Sequence, residues 1–193
     1  MGRRAECSLF TDHGQMEAGL VELCAMTKVL VREAGDVDAD IAGELIDAMD
    51  AHYNGAGNTA GAAAAAKLVR ATIGEREGTR FLVATLDERP AGIACFAVIR
   101  PGHRHQGLVY LKDLFVATEA RGAGVGRALL QALARLAIEA GIGRIDLNTA
   151  HENEPARRLY EGLGGEREDV LRYRWSGAAL RALAEGADGI DGI

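Results

Sequence analysis

Cysteine is scarce. Cys7, Cys24 and Cys95 are odd in number, scattered, and never form a C-x-x-C. Reduced thiols in a cytoplasmic compartment are therefore the expectation. Long hydrophobic runs are missing too. No segment approaches the roughly 18 apolar residues that a membrane span needs. Arg3-Arg4 is followed by no apolar stretch, and Glu6 stands where a myristoylation signal requires Ser or Thr, so no membrane association is expected. Positive charge is in deficit. A net charge of −6 argues against general nucleic-acid binding and suits a cationic substrate. What remains, 48% apolar and 26% charged residues in 193, fits one globular domain over 1–193 with a sizeable core.

The most informative stretch is Gly107–Gly141. Leu108 to Val116 is rich in Val, Leu, Tyr and Phe and reads as a largely buried strand. Arg121-Gly-Ala-Gly-Val-Gly126 follows. Then Arg127, Gln131, Arg135 and Glu139 recur every four positions, while Leu129, Leu133 and Leu136 face elsewhere. This predicts an amphipathic helix with Gly141 as its C-terminal cap. Glycines at a helix start leave bare N–H groups at the positive end of the dipole, an arrangement suited to phosphate.

Around this stretch, Cys7–Phe10 reads as a short strand and Gln15–Glu33 as a helix ending at Gly35. A second helix is expected over Val37–Tyr53, with Ile41, Leu45, Ile46 and Met49 inward. Asp36, Asp40, Glu44 and Asp47 form an acidic stripe on its other face, either a solvated surface or a subsite for a cation. Residues 54–61 read as a flexible loop, and the alanine run after them as a third helix. Arg80–Leu86 and Ala91–Ile99 predict a β-hairpin. His103 and His105 have no acidic or cysteine neighbour and read as surface residues, so no metal site is expected. Arg144–Asn148 reads as a strand parallel to the central one. A helix capped by Asn153, with Pro155 in its first turn, runs to about Gly162. His151-Glu152 begins like H-E-x-x-H, but Pro155 occupies the second histidine's place. Val170–Trp175 alternates Leu171, Tyr173 and Trp175 with Arg172 and Arg174, predicting a last strand with one buried face. A short helix follows over Ala178–Glu185, and residues 186–193 are expected to be a disordered tail. The order is that of a mixed α/β domain.

The glycine turn admits three phosphate-binding readings. A Walker loop fails, since no Lys with Ser or Thr follows Gly126. A dinucleotide turn would use Asp146 on a ribose. However, the glycines are spaced G-x-G-x-G, Ala117–Arg121 separates them from the strand, and too little chain follows for a doubly wound sheet. The third reading is acyl-CoA binding, and here a family resemblance enters. Arg121–Gly126 after Asp113-Leu-Phe-Val116 resembles the [RQ]-x-x-G-x-[GA] signature of the GNAT superfamily of N-acetyltransferases. Asn153–Gly164 is similar to that family's N-x-x-[AS]-x-x-x-Y-x-x-x-G block. Within the superfamily, YLKDLFV and the NEP turn most resemble the spermidine/spermine (diamine) branch, although Lys112 stands where that branch has Glu, and a cation there repels a polyamine.

The resemblance implies a mixed, mostly antiparallel sheet flanked by helices, with a central parallel pair splayed at the cofactor site. It implies acetyl-CoA as cosubstrate, no metal, and direct transfer of acetyl to the primary amine of a small molecule or, less narrowly, of a protein. Backbone N–H groups of Phe115 or Val116, the latter favoured, would stabilise the developing oxyanion. Leu114 and Val116 would pair with the pantetheine amides. Arg121, Gly122, Ala123, Gly124, Val125, Gly126 and Arg127 would hold the pyrophosphate, and Asn153 would also contact the cofactor. Tyr160 would protonate the departing thiolate, and Asp113 is the candidate base. Residues 11–75 would form a helical acceptor side. Homodimers are compatible with the resemblance. Two alternatives carry over: a non-catalytic acyl-CoA sensor or partner module, and, remotely, a dinucleotide-binding protein.

Overall fold

A computed structural model describes residues 28–73, 78–100 and 107–186. The expected strand at Cys7–Phe10, His103, His105 and nearly all of the 186–193 tail lie outside these residues.

The ladder begins with a correction. Val29–Glu33, assigned above to the end of a helix, is strand β1, and the rest of that helix lies outside the described residues. Val29, Leu30 and Val31 suit a pleated strand, and the register Val29↔Leu86 to Glu33↔Leu82 supplies the partner that decides it. The partner is β2 (Thr79–Leu86), joined to β3 (Arg89–Ile99) by Asp87-Glu88. Both turn residues have positive φ, 49° and 66°, as a two-residue hairpin with the primed twist requires. β3 pairs with β4 (Leu108–Val116), and β4 pairs in parallel with β5 (Ile145–Leu147). The five-stranded sheet runs β1-β2-β3-β4-β5. It is antiparallel except for the β4–β5 pair, which lies at one end of the described ladder.

Helices cover both faces. α1 (Ala39–Asn54) and α2 (Ala62–Ile73) pack on Phe81, Val83, Ile93, Cys95 and Phe115. α3 (Val125–Glu139) packs on Leu82, Ala94, Phe96, Val109 and Leu111. β2 is buried on both faces for that reason, so it reads as a continuous apolar run. In α3 the buried residues are Val125, Leu129, Leu133 and Ala137, and the predicted polar stripe is exposed. Its C-terminus closes with Gly141 at φ +71°, with Ile142 N–H bonded to Ala137 O at 2.8 Å and Gly141 N–H to Ile138 O at 3.0 Å, the Schellman pattern.

α1 is entered through buried Asp38, whose carboxylate accepts from Gly35 N–H (3.0 Å) and from the Arg32 guanidinium. Along the acidic stripe, Asp36, Asp40 and Glu44 are exposed, and Asp40 takes a 2.7 Å hydrogen bond from Arg70 of α2. That part of the stripe is solvated surface.

After β5 come α4 (Glu154–Glu161) and α5 (Gly177–Ala184). The expected last strand is not formed. Residues 165–176 pair with nothing described, and Leu171, Tyr173 and Trp175 are 82%, 72% and 52% exposed. Alternation sets which face a strand would bury, but a strand exists only where an edge pairs with it.

Candidate functional site

The site follows from one irregularity in β4. Cys95 of β3 faces Asp113, yet the next residue, Phe96, faces Leu111, which leaves Lys112 as the extra residue of a β-bulge. The bulge switches the alternation of faces. Before it, Val109 and Leu111 face α3; after it, Leu114 and Val116 do, and Phe115 faces α1 and α2. Asp113 is opposite Cys95 and shares that second face. The face of Asp113 is set by the bulge, not by simple period-two alternation. Lys112 and Asp113, adjacent in sequence, join through a 2.7 Å Nζ–Oδ2 hydrogen bond.

The same residue marks where the parallel pair separates. Ladder contacts with β5 stop at Leu111↔Leu147, so Lys112–Val116 have an open edge. Ala117 N–H bonds to Ala91 O at 2.9 Å, with Gly92 opposite Val116. Antiparallel alternation then commits Phe115 and Asp113 to β3 and turns the N–H groups of Leu114 and Val116 toward the opening. The Val116 N–H is thus open to the cleft side and the Phe115 N–H is not.

The opening is a cleft of about 920 Å³. Beyond β4 its floor is the glycine turn. Gly122 and Gly124 both have φ +83°, a left-handed conformation open to glycine at little cost, and Gly124 is the N-cap of α3. The N–H groups of Val125, Gly126 and Arg127 have no backbone acceptor among the described residues, as expected for the first turn of a helix. A Cβ on Gly124 would meet nothing within 4 Å, so the backbone there is bare to solvent. Of the thirteen residues expected at the site, twelve line the cleft: Asp113, Leu114, Phe115, Val116, Arg121, Gly122, Gly124, Val125, Gly126, Arg127, Asn153 and Tyr160. Ala123 instead packs against the core.

The far wall is α4 and the turn before it. Asn153 Oδ1 accepts from Ala156 N–H at 3.3 Å, capping α4 and fixing the helix that carries Tyr160. Burial, then the neighbouring Tyr53, raises the Tyr160 hydroxyl pKa, so it holds its proton at neutral pH. Asn148 Nδ2 donates to the Tyr110 hydroxyl at 2.9 Å, tying the wall to β4. Asp146, the ribose acid of the dinucleotide reading, is paired with Arg144 at 2.6 Å, and the largely antiparallel sheet is not a dinucleotide-binding one.

One further wall of the cleft was read incompletely from sequence. It comes from Met49, His52 and Tyr53 in the last turn of α1. The His52 ring is 5.1 Å from that of Tyr53 and 6.3 Å from that of Phe115. Met49 was expected to face inward. His52 and Tyr53 follow it at i+3 and i+4, the spacing that shares its helix face, and this was the available signal. No group of three metal-ligating side chains exists among the described residues.

Cys95 is buried behind the bulge, and burial, followed by the charge of Asp113, pushes its thiol up to about 11. A thiol protonated at neutral pH is a poor nucleophile. Cys95 is therefore expected to resist a thiol reagent at pH 7 in the folded protein and to react after denaturation. Peptide mass mapping checks this, and rapid labelling of Cys95 in the native state would contradict it.

Residues 47–164, more than half of the chain, match the acetyltransferase (GNAT) family. A thialysine N-epsilon-acetyltransferase of Mus musculus is 35% identical over 80 residues, covering 39% of this chain and 47% of its own. An L-ornithine N5-acetyltransferase of Arabidopsis thaliana is 31% identical over 94 residues, covering 48% and 41%. The chain thus spans less than half the length of these curated relatives. Among solved structures, an integron cassette protein from the mobile metagenome of V. cholerae superposes with a TM-score of 0.72 at 27% identity, over 81% of this chain and 98% of that one. A splayed parallel pair, a bare glycine turn at a helix start and a capped tyrosine helix thus coincide with the matched segment, and the chain belongs to the acetyltransferase (GNAT) family.

Proposed function

We propose that this protein is an N-acetyltransferase that moves acetyl from acetyl-CoA to the primary amine of a small molecule. The observation that carries this reading is the set of N–H groups without a backbone acceptor, from Leu114 and Val116 to Val125, Gly126 and Arg127, along one wall of a single cleft. A sensor would need only the phosphate end. The open N–H of Val116 and the protonated Tyr160 on the opposite wall supply what a transfer reaction needs beyond binding.

In this mechanism the amides of Gly122–Arg127 and the α3 dipole hold the pyrophosphate. Leu114 pairs with pantetheine in strand fashion, and Asn153 contacts the cofactor. Val116 N–H donates to the thioester carbonyl oxygen as charge develops there, an interaction worth about 3 kcal/mol of barrier. The amine attacks, the C–S bond breaks, and Tyr160 protonates the leaving sulfur. Asp113, on the acceptor face and bonded to Lys112, is an anchor for the acceptor.

Lys112 also bears on the acceptor. It is 65% exposed at the cleft, and by pairing with Asp113 it removes the net negative charge that would draw a polycation to this wall. We therefore favour an amino acid with a side-chain amine over a polyamine. The names of the thialysine and ornithine acetyltransferases support this choice, and the sequences of these relatives accord with the diamine acetyltransferase-like branch. A cytoplasmic location fits acetyl-CoA supply. No helix among the described residues is long and apolar enough to cross a membrane.

Mixing protein and acetyl-CoA with a panel of diamino acids, polyamines, aminoglycosides and lysine peptides should release CoA, read with a thiol reagent. Diamino acids should be fastest. Binding of acetyl-CoA without turnover on any amine would favour the sensor reading.

A second copy of the chain is the partner we propose for the exposed 165–176 segment. Each copy would offer both an unpaired alternating strand and, at β5, an open edge to receive it. Light scattering should give a dimer, and a chain ending at Gly165 a monomer; a full-length monomer would contradict the pairing.

A further inference from the structure

We infer that His52 is the proton acceptor for the incoming amine. This rests on the acetyltransferase reading and deepens it. The substrate arrives as an ammonium with pKa near 10, so a base in the cleft must take a proton before attack. Three described residues of the cleft other than tyrosine can serve: His52, Asp113 and Glu152.

Asp113 is held by the Lys112 ammonium at 2.7 Å. A carboxylate has an ordinary pKa near 4, and a proton moved to it from an ammonium climbs further than one moved to an imidazole, whose ordinary pKa is about 6.5. Glu152 is exposed on the turn into α4, beside Asn153, and is a carboxylate with the same disadvantage. His52 lies on the acceptor face. Its ring is 6.3 Å from that of Phe115, the residue just before Val116, and His52, Phe115 and Val116 all line the cleft. The side chain is exposed, which gives the proton a route to water. Tyr53 abuts the ring edge-on at 5.1 Å from the same helix.

The groups that face this part of the cleft are Tyr53 from α1, Lys112 and Asp113 from β4, and Tyr160 from α4. Lys112 and Asp113 offset one another as an ion pair, and burial, then Tyr53, keeps Tyr160 protonated near pH 7. Proton and bond accounting closes. His52 takes one proton from the ammonium and passes it to water. The N–C bond forms as the C–S bond breaks. Tyr160 protonates the sulfur and recovers the second proton released by the nitrogen. The products are an amide, CoA thiol and one free proton.

The test uses the full chain with whichever amine proves fastest. Wild-type kcat/KM should fall on the acid side, in a limb set by protonation of the base. His52→Gln should lower kcat/KM about 100-fold and abolish that limb, with acetyl-CoA affinity by calorimetry unchanged. Added imidazole should restore turnover of His52→Ala saturably, a response that a purely structural role would not produce. Full activity in His52→Gln, a retained limb, or no imidazole rescue overturns the assignment. Loss of the limb in Asp113→Asn alone moves it to Asp113. An acetyl-CoA-binding wild type that acetylates no amine overturns the acetyltransferase reading and this inference together.

Discussion

Tyr160→Phe should lower kcat about 100-fold, the lower end of the range for general acid catalysis, and leave acetyl-CoA affinity within about twofold. The effect is confined to turnover because the hydroxyl acts on the sulfur, whereas the cofactor's charge is held elsewhere, by the amides of Gly122–Arg127. Tyr160 is placed for this by a short helix whose first turn Asn153 caps, and burial, then Tyr53, raises its pKa. The sign matters. A proton donor works below its pKa, so raising that value extends the active form upward, and loss of rate through Tyr160 ionisation should occur only above the ordinary tyrosine range, about 10. Stopped-assay kcat and calorimetric Kd, measured on the same preparation, separate the two quantities. Unchanged kcat would remove Tyr160 from the mechanism.

The second large effect is on stability. Gly43→Leu should destabilise the fold by about 3 kcal/mol, the upper part of the range for overpacking, which lowers the melting temperature by about 10 °C in a domain this size. A Cβ at Gly43 would lie 2.6 Å from Ala62 O, 2.7 Å from Ala66 N and 2.8 Å from Ala66 Cβ. The first two are backbone atoms, so α1 and α2 must part to admit it. Their separation would uncover Leu45 and Val69, both buried in the core against Phe81 and Val83. The sharper control is Gly43→Ala. In an ordinary helix that change is favourable by about 1 kcal/mol; here it should be unfavourable. Thermal unfolding by circular dichroism reads both variants, and stabilisation by alanine would show that the helices are less tightly apposed.

These two residues also mark what was legible in the sequence. The α4 cap and the glycine turn were readable because they depend on local spacing: a cap three residues before Ala156, glycines at a helix start, an i, i+4 polar stripe on α3; Tyr160 came with the motif that carries the family resemblance. The hairpin and the β4-α3-β5 order were readable for the same reason. Gly43 was not singled out, because it lies among ordinary helix formers and its importance arises only where α2 crosses. β1 was misread because Val29–Glu33 is compatible with either periodicity and its partner, β2, lies some fifty residues on. The bulge at Lys112 carries no glycine to announce it, yet it decides which way Asp113 faces. His52 lay at a helix end, where polar residues are unremarkable, and entered the site only once α1 was packed against Phe115. The Val170–Trp175 alternation was real as a pattern, and no described edge pairs with it.

The central claim is that one cleft seats acetyl-CoA with its pyrophosphate on the glycine turn and its thioester at Val116. Titrating acetyl-CoA into ¹⁵N-labelled protein and following the backbone amides tests this most directly. The account predicts saturable shifts that are largest at Gly122, Gly124, Gly126 and Val116, with Phe115 less affected because its N–H is committed to β3. Saturable binding that leaves these amides unmoved, or no binding at all, would contradict it.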